Sequence, residues 1–187
     1  MRYLLALTLL LASTSNLLAS SNDPILDQAA FSPTYELADT ALERKNQALL
    51  TYLWADVYAA AFYAPAQASA SQAVTQPLTQ RLELYYFRDI DSQDVIKAAW
   101  VTLERQHDAA TLQRLRPEVD ALHATFKDIR PGDRYALNFN QGSGLTLEVN
   151  GKVAYSSQNP ALAKAYLGIW LSPNGLSDKL RTSLLAD

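Results

Sequence analysis

The chain contains no cysteine, and its only histidines are His107 and His123. Disulfide bonds are therefore impossible. A zinc site, which proteins build mostly from Cys and His, also lacks ligands, because the two histidines are not at ligand spacing. Glycine is scarce, and the segment Gly142–Gly144 joins two predicted strands instead of opening a helix, as a phosphate-binding loop would. The sequence predicts a domain that is held together by packing and uses no metal or other cofactor.

Runs of basic residues are also missing, and 16 Lys and Arg against 19 Asp and Glu give a formal net charge of −3. Such a composition lacks the positive surface that nucleic acids and anionic membranes attract, so we expect no nucleic-acid partner. The carboxylates Asp89, Asp91 and Asp94 cluster, but they lie at a predicted helix start, where acidic residues normally cap the helix. No Ser lies in a nucleophile-elbow pattern, so standard hydrolase chemistry has no motif here.

An N-terminal leader is predicted for residues 1–21. Arg2 is followed by an apolar run from Tyr3 to Ala12, the pattern of a secretory signal peptide, and the run is too short for a comfortable membrane span. Small residues suitable for cleavage occur at Ala19 and Ser21, and a retained anchor is the alternative. We therefore expect a periplasmic or secreted protein with no integral membrane span after removal of the leader.

The first half of the mature chain has mixed signals. Residues 22–34 predict a flexible arm, and residues 35–187 a single domain. Helix-forming residues dominate Leu37–Leu50, whereas the aromatic segment Trp54–Tyr63 is also compatible with a buried strand. Small polar residues predict a surface loop over Ala66–Gln80, and alternating apolar residues predict a strand over 81–88.

The second half is clearer. Asp91 and Asp94 mark a helix start, and a second helical pattern runs to Ile129, with Pro117 predicted to restart it. Three strands follow between residues 135 and 157, the last two joined by an Asn-Gly turn. Two closing helices follow, the first capped by Asn159. The predicted fold class is α+β, an antiparallel sheet with helices packed on one face.

One aromatic cluster suggests binding chemistry. Tyr86 and Arg88 share a strand, and several aromatic residues crowd the segment before it, Tyr58 among them. An Arg among Tyr hydroxyls in an apolar cleft is a common way to bind the carboxylate or phenolate of an oily ligand. In the alternative interpretation, Arg88 lies at the strand edge, solvated or paired with Asp89.

The ordered motifs resemble the bacterial exported branch of the chalcone isomerase-like family. They are VYAAAFYAP (57–65), YYFRDID leading to AAW (85–100), DIRPGDRYALNF (128–139), GLTLEVNGK (144–152), IWLSP (169–173) and LRTSLL (180–185). The resemblance covers residues 35–185 and implies an open-faced β-sandwich in which residues 55–63 form a strand.

Catalysis is not implied by the resemblance. Plant-type isomerases of this family use an Arg, a Thr, a Tyr and an Asn. The Thr position corresponds to Tyr58 here, and the Tyr and Asn positions fall near Arg88 and Val95. The Arg position falls at Leu50 or Thr51, or at Arg44 with a short insertion, so at most one of these residue types is retained.

The resemblance therefore points to the family's non-catalytic members, some of which bind fatty acids with an Arg and a Tyr. The ligand-binding candidates are Arg44 or Arg88 with Tyr58 and Tyr86 for the head group, and Trp100, with Leu84 and Trp54, for the tail. The leading hypothesis is an exported protein that binds a small apolar or amphipathic ligand. The alternatives are a cofactor-independent isomerase and a module that binds an envelope protein through a collapsed cleft.

Overall fold

The computed structural model describes residues 24–186. The predicted signal peptide lies outside the described residues. Within them, seven strands form one antiparallel sheet in chain order: β1 (Thr34–Leu37), β2 (Thr40–Tyr52), β3 (Ala55–Pro65), β4 (Gln80–Tyr86), β5 (Arg134–Asn140), β6 (Gly144–Val149) and β7 (Lys152–Ser157). The described helices are α1 (Pro24–Ala29), α2 (Ala70–Thr75), α3 (Ser92–Gln106), α4 (Ala109–His123), α5 (Pro160–Leu171) and α6 (Asp178–Leu184).

Successive side chains along the central strands point alternately to the two faces of the sheet. In β3, Tyr58, Ala60 and Phe62 belong to the main core, whereas Ala59 and Ala61 belong to a smaller cluster on the opposite face. Both sets are buried, so β3 reads as a continuous apolar run instead of a strand with one polar face. The resemblance correctly implied a strand here.

The main core lies between one face of the sheet and helices α2 to α6, all of which contribute buried apolar side chains. This arrangement confirms the predicted α+β class with an antiparallel sheet and helices on one face. The short helix α1 adds to the opposite face, where Ala29 and Phe31 are buried in the smaller cluster. Within the predicted arm of residues 22–34, the structure has the helix Pro24–Ala29.

The helix-forming composition of Leu37–Leu50 was misleading, because most of this segment lies in β2. Ten residues of β2 have cross-strand partners in β3, from Leu42 opposite Pro65 to Tyr52 opposite Ala55. The helix propensities of ordinary residues differ by only about a few tenths of a kcal/mol per residue, so cross-strand pairing of this kind overrides them. The predicted loop 66–80 also differs, since it contains α2, whose start is closed by a capping box between Ser69 and Gln72.

A register shift in β2 decides which way its side chains point. Arg44 pairs with Tyr63, but the next partners are Asn46 and Phe62, so Lys45 is the extra residue of a β-bulge. Paired residues share a face, and Tyr63 and Phe62 lie on opposite faces. Arg44 therefore lies on the face opposite the main core, whereas Asn46 lies on the core side and the side chains alternate again from there.

The second half of the chain follows its sequence signals closely. Asp91 and Asn159 are the N-caps of α3 and α5, and Asn150–Gly151 forms the two-residue turn between β6 and β7 with positive φ at both positions. Pro117 is an exception, because it lies inside α4 instead of restarting a helix. Buried Leu115 and Val119 on either side of it keep the helix packed through the proline.

Candidate functional site: a cavity between the sheet and two helices

A cavity of about 350 Å³ lies between the core face of the sheet and the helices α3 and α5. Strands β2 to β6 and both helices contribute to its wall, and most of the wall is aliphatic or aromatic. The lining residues that later arguments use are Tyr58, Tyr86, Asp94, Tyr135, Tyr166 and Trp170. Such a cavity falls within the roughly 300–1,000 Å³ that is usual for small-molecule sites.

Two exposed lining residues mark where the cavity meets solvent. Tyr52, at the end of β2, is 68% exposed, and Asp94, in the first turn of α3, is also exposed. Asp94 is the only charged side chain among the described residues of the lining, and none of them is Lys, Arg or His. The polar groups of the buried wall are therefore tyrosine hydroxyls and one indole N–H.

The tyrosines form a connected aromatic group. The ring of Tyr86 makes edge contacts with Tyr58 and Tyr135, at centroid distances of 5.3 Å and 5.7 Å. Trp170 Nε1 donates a hydrogen bond of 2.9 Å to the Tyr58 hydroxyl oxygen. Tyr166 shares a hydrogen bond of 3.1 Å with His123 Nε2. The Tyr86 hydroxyl has no hydrogen-bond partner in residues 24–186.

Burial keeps these hydroxyls protonated. It raises the pKa of Tyr58 above the usual value for a phenol, and the hydrogen bond from Trp170 offsets only part of that rise. Burial likewise raises the pKa of Tyr86, with smaller contributions from the neighbouring tyrosines, and the pKa of Tyr166. At neutral pH the cavity therefore contains phenol groups that act as hydrogen-bond donors, and no phenolate base.

The structure brings together two of the five predicted ligand-binding residues. Tyr58 and Tyr86 are cross-strand partners in β3 and β4, and both line the cavity. Arg44 lies on the other face of the sheet, where its Nη1 donates to the Phe31 carbonyl oxygen at 2.6 Å. Arg88 is exposed beyond the end of β4, and its Nε donates to the Asp56 carbonyl oxygen at 3.3 Å. Neither arginine contributes to the described lining.

The residues predicted to bind the tail of the ligand lie in different parts of the structure. Leu84 lines the cavity, whereas Trp100 does not. The Trp100 ring packs against His123 and beneath the Arg116 guanidinium, at 5.9 Å and 4.8 Å between the groups. Trp54 is 99% exposed at the tip of the β2–β3 hairpin, so its predicted place in the cavity was wrong.

Sequence reasoning missed the contributions of α5 and β5 to the wall. Tyr166 and Trp170 are four residues apart and therefore lie on one face of α5, a spacing that was readable in the sequence. Tyr135 lies near the start of β5 and also lines the cavity. From helix α5, Trp170 supplies the hydrogen bond to Tyr58.

A second, more polar cavity of about 840 Å³ lies on the other side of α5. Its wall includes Gln80, Lys164 and Arg181, so it carries the basic residues that the first cavity lacks. The Gln80 Oε1 and Arg181 Nε atoms are buried without a hydrogen-bond partner in the described part of the chain.

A model of the chalcone isomerase-like family matches residues 26–186, almost the whole described chain. The chain belongs to the chalcone isomerase-like family. Among solved structures, it is similar to a fatty-acid binding protein from Arabidopsis thaliana, with a TM-score of 0.60 and 14% sequence identity over 83% of this chain and 90% of that one. A comparison with curated proteins gives no match.

At that identity, the structural similarity establishes a shared chalcone isomerase-like fold, which agrees with the sheet and helices described above. The described residues contain no group of three or more acidic, His or Cys side chains able to hold a metal ion. Among the helices in residues 24–186, none is long and apolar enough to cross a membrane.

Proposed function

We propose that this chalcone isomerase-like protein binds a small apolar or amphipathic ligand, such as a fatty acid or a derivative of one, without converting it. The observation that carries the proposal is the cavity of about 350 Å³, whose wall is apolar apart from a few hydroxyls, an indole N–H and Asp94. Transfer of a hydrocarbon chain from water into such a wall is favourable by about 25 cal/mol per Å² of apolar surface. The similar fold of a fatty-acid binding protein supports the proposal.

Two observations favour binding over catalysis. Tyr58 occupies the position of the plant-type Thr, and its raised pKa makes the phenol a donor instead of a base. No basic side chain lies in the described lining to stabilise negative charge in a transition state. The open cavity also differs from the collapsed cleft that the protein-interaction alternative requires.

The apolar leader pattern supports export, so we place this binding in the periplasm or outside the cell. Native mass spectrometry of the protein purified from a periplasmic extract, followed by denaturing analysis, tests both proposals. We expect the mature chain, without its leader, to carry one apolar molecule. An intact leader would contradict the signal-peptide assignment.

A cavity-filling variant makes the test specific. Ala98 lines the cavity, so Ala98→Phe should expel the bound molecule by occupying its space. Val101→Phe, on the same helix at a position that is 53% exposed, is the matched control and should retain it. An empty wild-type protein that also takes up no added dodecanoate or methyl dodecanoate would sink the binding proposal.

A further inference from the structure

The wall of the cavity contains two hydrogen-bond donors that have no acceptor among residues 24–186. Tyr58 and Tyr86 are each only 4% exposed. The oxygen of Tyr58 accepts the Trp170 N–H, which leaves its own hydrogen without an acceptor in the described part of the chain. The hydroxyl of Tyr86 has no partner at all among residues 24–186. The Tyr86 oxygen is not among the fully buried, unpaired side-chain atoms of the described chain, so it opens to the cavity, where water or a ligand can accept its hydrogen.

Charge within the cavity opposes an anionic ligand. The single charged lining residue of the described chain is Asp94, and its carboxylate would repel another carboxylate at the cavity edge. Arg44, on the opposite face of the sheet, donates to Phe31, and Arg88 is exposed and donates to Asp56. A carboxylate buried against the tyrosines would therefore lose its hydration without gaining a cationic partner, which is strongly unfavourable.

We propose that the cavity selects an uncharged ligand, a hydrocarbon body with a carbonyl oxygen that accepts hydrogen bonds from Tyr58 and Tyr86, and discriminates against carboxylates. A carbonyl oxygen has two lone pairs, which match two hydroxyl donors on neighbouring strands. The proposal rests on the proposed function and narrows its ligand class: a fatty acid binds here as an ester or in its protonated form. The basic residues Lys164 and Arg181 line the second cavity and not this one.

A matched pair of probes tests the selectivity. Labelled methyl dodecanoate is equilibrated by dialysis with the full mature protein at mildly alkaline pH, where dodecanoate is ionised, and unlabelled dodecanoate is added as competitor. The two molecules share one chain and differ only in head-group charge. The experiment measures only the displacement of bound labelled ester. Dodecanoate that binds in the second cavity displaces no ester from the first cavity, so it does not affect the result. We expect dodecanoate to compete at least tenfold less well than unlabelled ester.

Removal of the Tyr86 hydroxyl tests whether this group donates a hydrogen bond to the ligand. Tyr86→Phe should weaken methyl dodecanoate binding roughly three- to tenfold, the usual worth of one hydrogen bond, and leave dodecane binding unchanged. The matched control is Tyr155→Phe in β7, whose hydroxyl donates to the Glu118 carbonyl oxygen away from this cavity, and it should change neither affinity.

Either of two results would overturn the selectivity. One is dodecanoate competing as well as the ester, a measurement that needs no variant. The other is Tyr86→Phe binding the ester as tightly as the wild-type protein does. Dodecane separates this failure from a failure of the proposed function. If dodecane binds but the head-group preference is absent, only the selectivity is wrong, whereas if none of the probes binds, both proposals fall.

Discussion

Trp170 and Tyr58 are joined by a hydrogen bond of 2.9 Å from the indole Nε1 to the phenol oxygen, and this contact ties α5 to β3 at the cavity wall. The residues are 112 positions apart in the chain. The bond also determines the role of Tyr58, because an oxygen that already accepts from Trp170 presents its own hydrogen to a ligand.

Replacement of Trp170 by Phe should destabilise the protein by about 1–3 kcal/mol, because one hydrogen bond and part of a large, partly buried side chain are lost. Urea unfolding of the apo protein measures the change. Trp54→Phe is the matched control, since that indole is 99% exposed, and it should leave the unfolding midpoint unaltered. Equal midpoints for Trp170→Phe and wild type would show that the contact contributes no stability.

The pH dependence of stability should report the burial of His123. Burial lowers the pKa of this imidazole from its usual value of 6.5 to about 4, and the nearby Asp120 offsets only part of that effect. Between these two pH values the unfolded chain binds a proton that the folded chain does not, so stability is complete above about pH 6.5 and is lost as the pH falls towards 4.

We expect wild-type protein to lose on the order of 2 kcal/mol through His123 as the pH falls across that window, a figure discounted for partial solvent screening. His123→Gln should make the urea midpoint depend less on pH than it does in the wild-type protein. An unchanged slope in His123→Gln would assign the pH dependence to other groups.

Substitutions in the turn between β2 and β3 should increase the stability of the protein. Leu53 and Trp54 have φ values of 46° and 67°, in the left-handed region that costs bulky L-residues about 1–2 kcal/mol each. Asn150–Gly151 has the same signs of φ in an equivalent two-residue turn. Replacing Leu53–Trp54 by Asn–Gly should therefore raise the unfolding free energy by about 1–2 kcal/mol.

Thermal unfolding by calorimetry measures that gain. The control replaces exposed Val153, which lies in β7, by Thr, and it should change the melting temperature little. A lower melting temperature for the Asn–Gly variant would show that the exposed side chains of the turn contribute contacts that outweigh the strain.

A buried ion-pair network on the face opposite the cavity should be sensitive to truncation. Arg81 is 6% exposed, and its guanidinium contacts Glu148 at 2.8 Å and Glu83 at 3.2 Å. Arg81→Ala leaves the largely buried Glu148 carboxylate without a cationic partner, whereas Glu83 keeps its ion pair with Arg134 at 2.7 Å, and the variant should cost about 3 kcal/mol. The control Asp120→Asn breaks the exposed pair with Arg116 and should cost less than about 1 kcal/mol at neutral pH. Similar losses in urea unfolding for both variants would contradict this account.

Prediction from sequence succeeded where local chemistry and tertiary structure agree. The caps Asp91 and Asn159 and the Asn150–Gly151 turn act within a few residues, so their positions are readable from the chain alone. The aromatic cluster and the family resemblance both single out Tyr58 and Tyr86, and the structure places both in the wall of the cavity.

The errors have an equally physical origin. Arg44 was expected among the head-group candidates, but the single extra residue at Lys45 reverses the side-chain alternation of β2 and turns Arg44 to the other face. No pattern in the local sequence indicates that bulge. Trp54 suits a buried strand by composition, yet the register that pairs Tyr52 with Ala55 leaves it in a turn.

The sequence by itself determined the antiparallel α+β class, most of the strands and helices, and the absence of cysteine and of basic runs, because these depend on periodicity, capping and composition. Only the tertiary structure decided which polar groups face the cavity. That choice depends on the register of β2 and on α5 returning across the sheet to bring Trp170 to Tyr58, and both are set by contacts between residues far apart in the chain. The result is a cavity with phenol donors and no cationic residue in its described wall, which is the basis of the ligand selectivity proposed above.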